Sequence, residues 1–179
     1  MGVEFVNLTQ YKISKNLFQD IFQLIQEEGI IKKEAFIEVV LIGQNRIRNI
    51  NKRLRGKNQV TDILSFAFSE VKKPTKKELQ FTPLDNKENL TGFIEPPKIP
   101  QNFGEILLCP SRIKKQAKRF KKTFKEELTL VFIHGLLHLL GYDHKDTKST
   151  KEMRKREKEI LSSYFKSEKL TKIKKENKI

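Results

Sequence analysis

A chain of 179 residues with 37% hydrophobic content is most simply one domain, large enough to bury a real core. Its 37 Lys and Arg against 22 Asp and Glu leave a net charge of +15, which predicts attraction to a polyanion: RNA, DNA or an anionic membrane. The single cysteine, Cys109, excludes an internal disulfide framework and fits a reducing cytosol, and no signal peptide or bilayer-length apolar run is visible, so a soluble cytoplasmic protein is expected.

Val3 to Leu8 alternates enough for a strand. Ser14 can cap a helix from Lys15 to Glu28, with Leu17, Phe18, Ile21, Phe22, Leu24 and Ile25 on its apolar face, and Gly29 ends it. Ala35 to Ile42 is β-branched and reads as a second strand. Ile47, Ile50 and Leu54 give a helical period from about Gln44 to Leu54, and Ile63 to Phe68 is a third strand. Between Val71 and Asn102 lie five of the six prolines, so this stretch reads as a long loop or insertion. Gly104 to Cys109 is a fourth strand, stopped by Pro110. Ser111 is expected to cap a strongly basic helix to about Lys121. Thr123 with Glu126 makes a capping box for a helix running to Leu140, and Ser149 with Glu152 a second box for a helix to about Phe165. From Lys166 the tail is Lys-rich and expected to be disordered. The order predicts an α+β fold: a single domain over residues 1–166 with a small mixed sheet of about four strands packed with helices, followed by a basic tail over 167–179.

All three histidines fall within eleven residues, His134-Gly-Leu-Leu-His138-Leu-Leu-Gly-Tyr-Asp-His144. At a spacing of four, His134 and His138 share one face of a helix. Gly141 can end that helix in a left-handed conformation, so that the chain turns back and brings His144 to the first two. Three neutral imidazoles meeting at a point suit Zn²⁺, one per chain, and leave a fourth position open for water, as in catalytic zinc sites. The alternative is a set of buried, hydrogen-bonded histidines. The spacing is also that of metzincin proteases, but those need a Glu after the first His as general base, and here the residue is Gly135. A protease is therefore disfavoured on chemical grounds. Asp143 is either an acceptor that orients an imidazole or a turn residue after Gly141. Tyr142 reads as packing. Cys109 is a conceivable fourth ligand, but its place at a strand end well upstream favours a small buried hydrophobe.

The positive charge is clustered. Between Val39 and Thr61 there is no acid, while Arg46, Arg48, Lys52, Arg53, Arg55 and Lys57 occur; between Ser111 and Lys125 there is again no acid, with Arg112, Lys114, Lys115, Lys118, Arg119, Lys121, Lys122 and Lys125. The second run directly precedes the histidine helix, so folding can set a positive rim beside the metal. Nucleic acid is the favoured partner, with Arg53, Arg55, Lys57, Arg112, Lys115, Lys118 and Arg119 as candidate contacts and salt-sensitive affinity. A membrane surface is disfavoured, because the basic helix offers only Ile113, Ala117 and Phe120 as an apolar side.

Three blocks resemble the YbeY family of bacterial rRNA-maturation endoribonucleases: HGLLHLLGYDH at 134–144, INKRLRGKNQVTDILSF at 50–66 and FGEILLCP at 103–110. Ile50 and Ile63 are mild substitutions, and Glu105 stands for the family's Asp. The resemblance implies a zinc-dependent, single-strand-specific endoribonuclease acting in 16S rRNA 3′-end maturation and ribosome quality control. The implied partners are single-stranded RNA, the 16S rRNA precursor, and the small ribosomal subunit with its proteins. It assigns His134, His138 and His144 as zinc ligands and sets Arg55 near the active site, where a guanidinium suits a phosphate. Attack by zinc-activated water and attack by the RNA 2′-hydroxyl both stay open. No general base is obvious; Asp62 and Asp143 are candidates, though Asp62 equally suits a turn at a strand start. Alternatives are a non-catalytic RNA-binding assembly factor with a zinc site, and another zinc hydrolase.

Overall fold

A computed structural model describes residues 2–67 and 102–176, with side chains to Leu170. In chain order the elements are β1 (Val3–Asn7), α1 (Lys15–Glu27), β2 (Phe36–Leu41), α2 (Gln44–Arg55), β3 (Ile63–Ala67), β4 (Asn102–Leu108), α3 (Pro110–Arg119), α4 (Phe124–Leu139) and α5 (Thr147–Glu176). Among the described residues the strands form one four-stranded mixed sheet in the order β1-β2-β4-β3, parallel except for β3, which runs antiparallel to β4. This is the expected α+β architecture. The loop read between Val71 and Asn102 lies outside the described residues, apart from Asn102 itself, which opens β4.

Strand alternation decides which face meets which helices. Ile37, Val39 and Leu41 of β2 and Ile106 and Leu108 of β4 turn one way, into a core built with Phe18, Phe22 and Ile25 of α1, Phe132 and Leu136 of α4, and Met153 and Ile160 of α5. Phe18 meets Phe132 edge-on with ring centroids 4.9 Å apart. The other face carries a smaller cluster of Ile42, Leu64, Leu107 and Cys109 under Ile47 of α2. Cys109 is thus a buried apolar group, as its position suggested.

The helix that carries two histidines is apolar nearly all round, and such a helix belongs in the interior. Leu128, Phe132, Ile133, Leu136 and Leu137 of α4 are essentially inaccessible, and only a strip including His134 and His138 reaches the surface. Its start is the expected capping box: the Thr123 hydroxyl accepts the Glu126 N–H, and the Glu126 carboxylate accepts the Thr123 N–H.

Three boundaries differ from expectation. Cys109, not Ser111, precedes α3; Pro110 occupies the first turn, where a missing N–H costs nothing, and the Ser111 hydroxyl instead accepts Gln44 Nε2 at 3.0 Å. Asp146, not Ser149, opens α5. Its Oδ1 accepts the N–H groups of Lys148 and Ser149 at 2.8 and 2.7 Å, while Ser149 Oγ accepts the Asp146 N–H at 3.2 Å. The tail expected to be disordered from Lys166 continues α5 as far as Glu176, and only 177–179 lie outside the described residues. The nucleus of α5 is held by core contacts of Met153, Ile160 and Tyr164, and adding Lys and Glu to an existing helix is easy. Pairing of Glu168 with Lys125 of α4 also ties down the first turn of that extension.

Candidate metal centre

The helix ends where the third histidine needs it to. Gly141 takes φ 89, and the N–H groups of Gly141 and Tyr142 return to the carbonyls of His138 and Leu137, both at 3.0 Å. This pair of bonds is the Schellman motif, which few residues other than glycine can close. The chain reverses and brings His144 over the last turn of α4. The imidazole centroids stand 4.6 Å (His134–His138), 5.1 Å (His134–His144) and 5.0 Å (His138–His144) apart, and one nitrogen from each lies within 4.8 Å of the others.

The outer ring nitrogens decide what the inner ones offer. His134 Nδ1 lies 2.7 Å from Oε1 of Glu157 on α5, and His138 Nδ1 lies 2.9 Å from the carbonyl oxygen of Tyr142. An ionised carboxylate and a carbonyl only accept, so both Nδ1 atoms carry a proton, and in the neutral rings both Nε2 atoms present lone pairs. Those two Nε2 atoms are 3.1 Å apart. Two lone pairs at that distance repel, unless one electrophile sits against both. The donor set therefore fits a divalent cation with a taste for imidazole. Burial, and then the neighbouring His134 and His144, push the His138 pKa below its ordinary value, which keeps it neutral and able to ligate.

Gly135 has a structural reason of its own. A Cβ there would come within 2.4 Å of Ile63 Cδ1 on β3, so a side chain at this position requires the end of the Ile63 side chain to shift. A protease-type Glu is absent, and one placed there would press on Ile63. Asp143 resolves as a turn residue: its carboxylate accepts the His144 N–H at 2.6 Å and pairs with Lys145 Nζ at 2.8 Å, and these contacts lower its pKa. The acceptor that orients an imidazole is instead Glu157, which motif spacing does not single out. Its signal was present, since Glu157 sits on the side of α5 between the buried Met153 and Ile160, an unusual place for a carboxylate. Tyr142 packs against the core, as expected, but its carbonyl also positions His138.

Beside the histidines opens a cleft of about 370 Å³, lined by Arg55, Thr61, Asp62, Ile63, Ser65, Ala67, His134, His138 and Leu139. Arg55 projects from the last turn of α2, its guanidinium 3.4 Å from the Ser65 carbonyl and 6.0 Å from the Phe66 ring centroid. No carboxylate pairs with it among the described residues. Asp62 is fixed on both oxygens: Oδ1 accepts the Ile63 N–H and the Thr61 hydroxyl at 3.1 and 3.0 Å, and Oδ2 accepts Gln116 Nε2 at 3.1 Å. That last bond ties α3, the acid-free basic helix, to the edge of the cleft. Of the candidate nucleic-acid contacts, Arg55 alone lines the cleft; Arg53, Lys57, Arg112, Lys115, Lys118 and Arg119 are exposed on α2, just after it, and on α3.

Among the described residues no helix is long and apolar enough to cross a membrane. The chain is similar to the solution structure of TM1509 from Thermotoga maritima, with a TM-score of 0.54 and 26% identity over 94% of this chain and 93% of that one. It is 33% identical over 146 residues to Endoribonuclease YbeY of Staphylococcus aureus strain JH9, covering 82% of this chain and 83% of that protein, and the figures for strain Newman are the same. The family model described as Endoribonuclease YbeY matches residues 5–165. A three-imidazole centre on this α+β frame, with a match across nearly the whole domain, has one consistent interpretation: the chain belongs to the YbeY endoribonuclease family.

Proposed function

We propose that the protein is a zinc-dependent, single-strand-specific endoribonuclease that acts in the cytoplasm on the 3′ end of 16S rRNA precursors and in ribosome quality control. Residues 1–166 form the catalytic domain, and the small ribosomal subunit with its proteins is the setting in which the precursor is met. The observation that supports this reading most is the pair of facing Nε2 lone pairs, 3.1 Å apart, beside a cleft whose guanidinium has no carboxylate partner among the described residues. The family match supplies the RNA substrate class.

His134, His138 and His144 would hold one Zn²⁺. When bound, the ion supplies a Lewis acid for a phosphoryl oxygen and acidifies water in its open position. The chain's own groups do the rest. Arg55 has no competing carboxylate among the described residues, so its fork is available to a phosphate and to the charge that builds on it during cleavage. Asp62 is the only carboxylate among the residues lining the cleft, and the Gln116 and Ile63 N–H donors hold it in place. It is the better candidate to take a proton from the attacking oxygen, because it lines the cleft and Asp143 does not. Gly135 leaves no base on α4 for peptide hydrolysis.

The test is purified protein offered a single-stranded RNA and a peptide library, with and without chelator. RNA cleavage abolished by chelator and by His138→Ala supports the reading. RNA binding without cleavage in the zinc-loaded protein would leave an assembly factor, and peptide cleavage would point to another hydrolase.

A further inference from the structure

The apolar stripe of α3 is incompletely used. Ile113 and Ala117 are buried, yet Phe120, one turn on, leaves 52% of its surface in solvent. Its ring is flanked by cations: the Arg119 guanidinium carbon is 5.7 Å and Lys122 Nζ is 5.8 Å from its centroid. Lys121 takes φ 55, a left-handed conformation uncommon outside glycine, so the chain turns away immediately and leaves the ring at the helix tip.

Two independent connections join this ring to the histidine cleft. Along α3, Phe120 lies four residues after Gln116 and so shares its face, and Gln116 is bonded to Asp62 in the cleft wall. Along α4, Lys122 donates to Glu127 at 3.0 Å, and Glu127 precedes His134 by seven residues, two turns or about 10 Å on the same face. The helix that ends in this ring is thus bonded to the cleft wall one turn earlier, and the segment just after it is bonded to α4 two turns before His134.

We propose that Phe120, framed by Arg119 and Lys122, is a stacking platform for one base of single-stranded RNA lying across the cleft. A base has an apolar face that stacks on an exposed ring, and the phosphates on either side are drawn to flanking cations; Arg119 is the unpaired one here among the described residues, Lys122 being paired with Glu127, and the stretch from Ser111 to Lys125 is free of acids. Duplex RNA keeps its bases stacked on one another and gains nothing from the ring, so the platform favours single strands. This rests on the endoribonuclease reading, but it concerns binding and not the metal.

The experiment measures fluorescence anisotropy of a labelled single-stranded RNA of about ten nucleotides, with metal-free protein in chelator at fixed salt, so that cleavage does not intervene. Phe120→Ala and Phe120→Leu should each weaken binding about fivefold or more, while Phe120→Tyr and Phe120→Trp stay within about twofold of wild type. Duplex RNA of equal length should bind all five proteins alike. Leu keeps the apolar bulk without the π face, so Phe120→Leu binding as wild type overturns the platform, as does equal loss on single-stranded and duplex RNA. If wild-type protein fails to bind single-stranded RNA at all, the endoribonuclease reading itself fails; if wild type binds and Phe120→Leu binds equally, only the platform does. Phe120 is half in solvent, so loss of fold is not expected, and the melting temperature of each variant checks that.

Discussion

Helices α3 and α4 are consecutive and packed together, yet they are built on opposite principles. On α4 the two histidines each have a fixed partner for the outer nitrogen, Glu157 and the Tyr142 carbonyl, and the helix behind them is sealed into the core. On α3 the cations Arg112, Lys115, Lys118 and Arg119 are exposed, and no residue of that helix takes part in an ion pair among the described residues. Coordination fails when a ligand moves by about half an ångström, so its groups must be locked. Attraction of a polyanion acts over a Debye length of about 8–10 Å and tolerates loose side chains. On the proposed function, a centre for bond chemistry and a surface for capture would therefore sit side by side with very different investment in order.

If that contrast is right, perturbing α4 should abolish chemistry while perturbing α3 only weakens capture. The largest effect is expected for His138→Ala, which removes a ligand: bound zinc should disappear on elemental analysis and RNA cleavage should fall more than about a hundredfold, beyond the loss typical of a residue one contact removed from a metal. Glu157→Ala comes next. Zinc affinity, measured by competition with a chromophoric chelator, should drop about tenfold to a hundredfold, and Glu157→Gln, whose amide oxygen still accepts from His134, should lose less. Equal affinities for wild type and Glu157→Ala would show that the imidazole needs no holding. On α3, the double reversal Lys115→Glu with Lys118→Glu should leave zinc content unchanged but weaken RNA binding and flatten its salt dependence, by a slope of about one for each phosphate no longer neutralised. An unchanged slope would remove those lysines from the interface.

The smallest effect is on stability against pH. In the folded apo chain His138 has a pKa below its ordinary value, so as pH falls through about 6.5 the unfolded chain takes up that proton first. The cost is absent well above that value and grows below it. The melting temperature of chelated wild type should therefore decline on acidification more than that of His138→Gln, which has no proton to gain there.

Sequence and structure agree where the determinants are local. The spacing of His134 and His138, the glycine that lets His144 return, and the capping box at Thr123 each involve residues within a few positions, and helical geometry alone relates them. The strand and helix order was legible for the same reason, since period-two and period-3.6 patterns need no partner to be seen. The choice of cap for α5 was not, because Asp146 and Ser149 are both good capping residues within one turn.

What only the tertiary structure decided are contacts between distant residues. Glu157 reaches His134 across 23 positions and Gln116 reaches Asp62 across 54, and nothing periodic marks either pair. The crowding at Gly135 comes from a methyl group of Ile63 on another element. The exposure of Phe120 follows from where the core happens to stop along α3. By itself the sequence determined which side chains could hold a metal and which stretches carry unbalanced positive charge, because both are properties of residue type and short-range spacing. Which nitrogen each imidazole turns inward, and which ring is left for a ligand, depended on packing, because those are set by neighbours the chain supplies from far away.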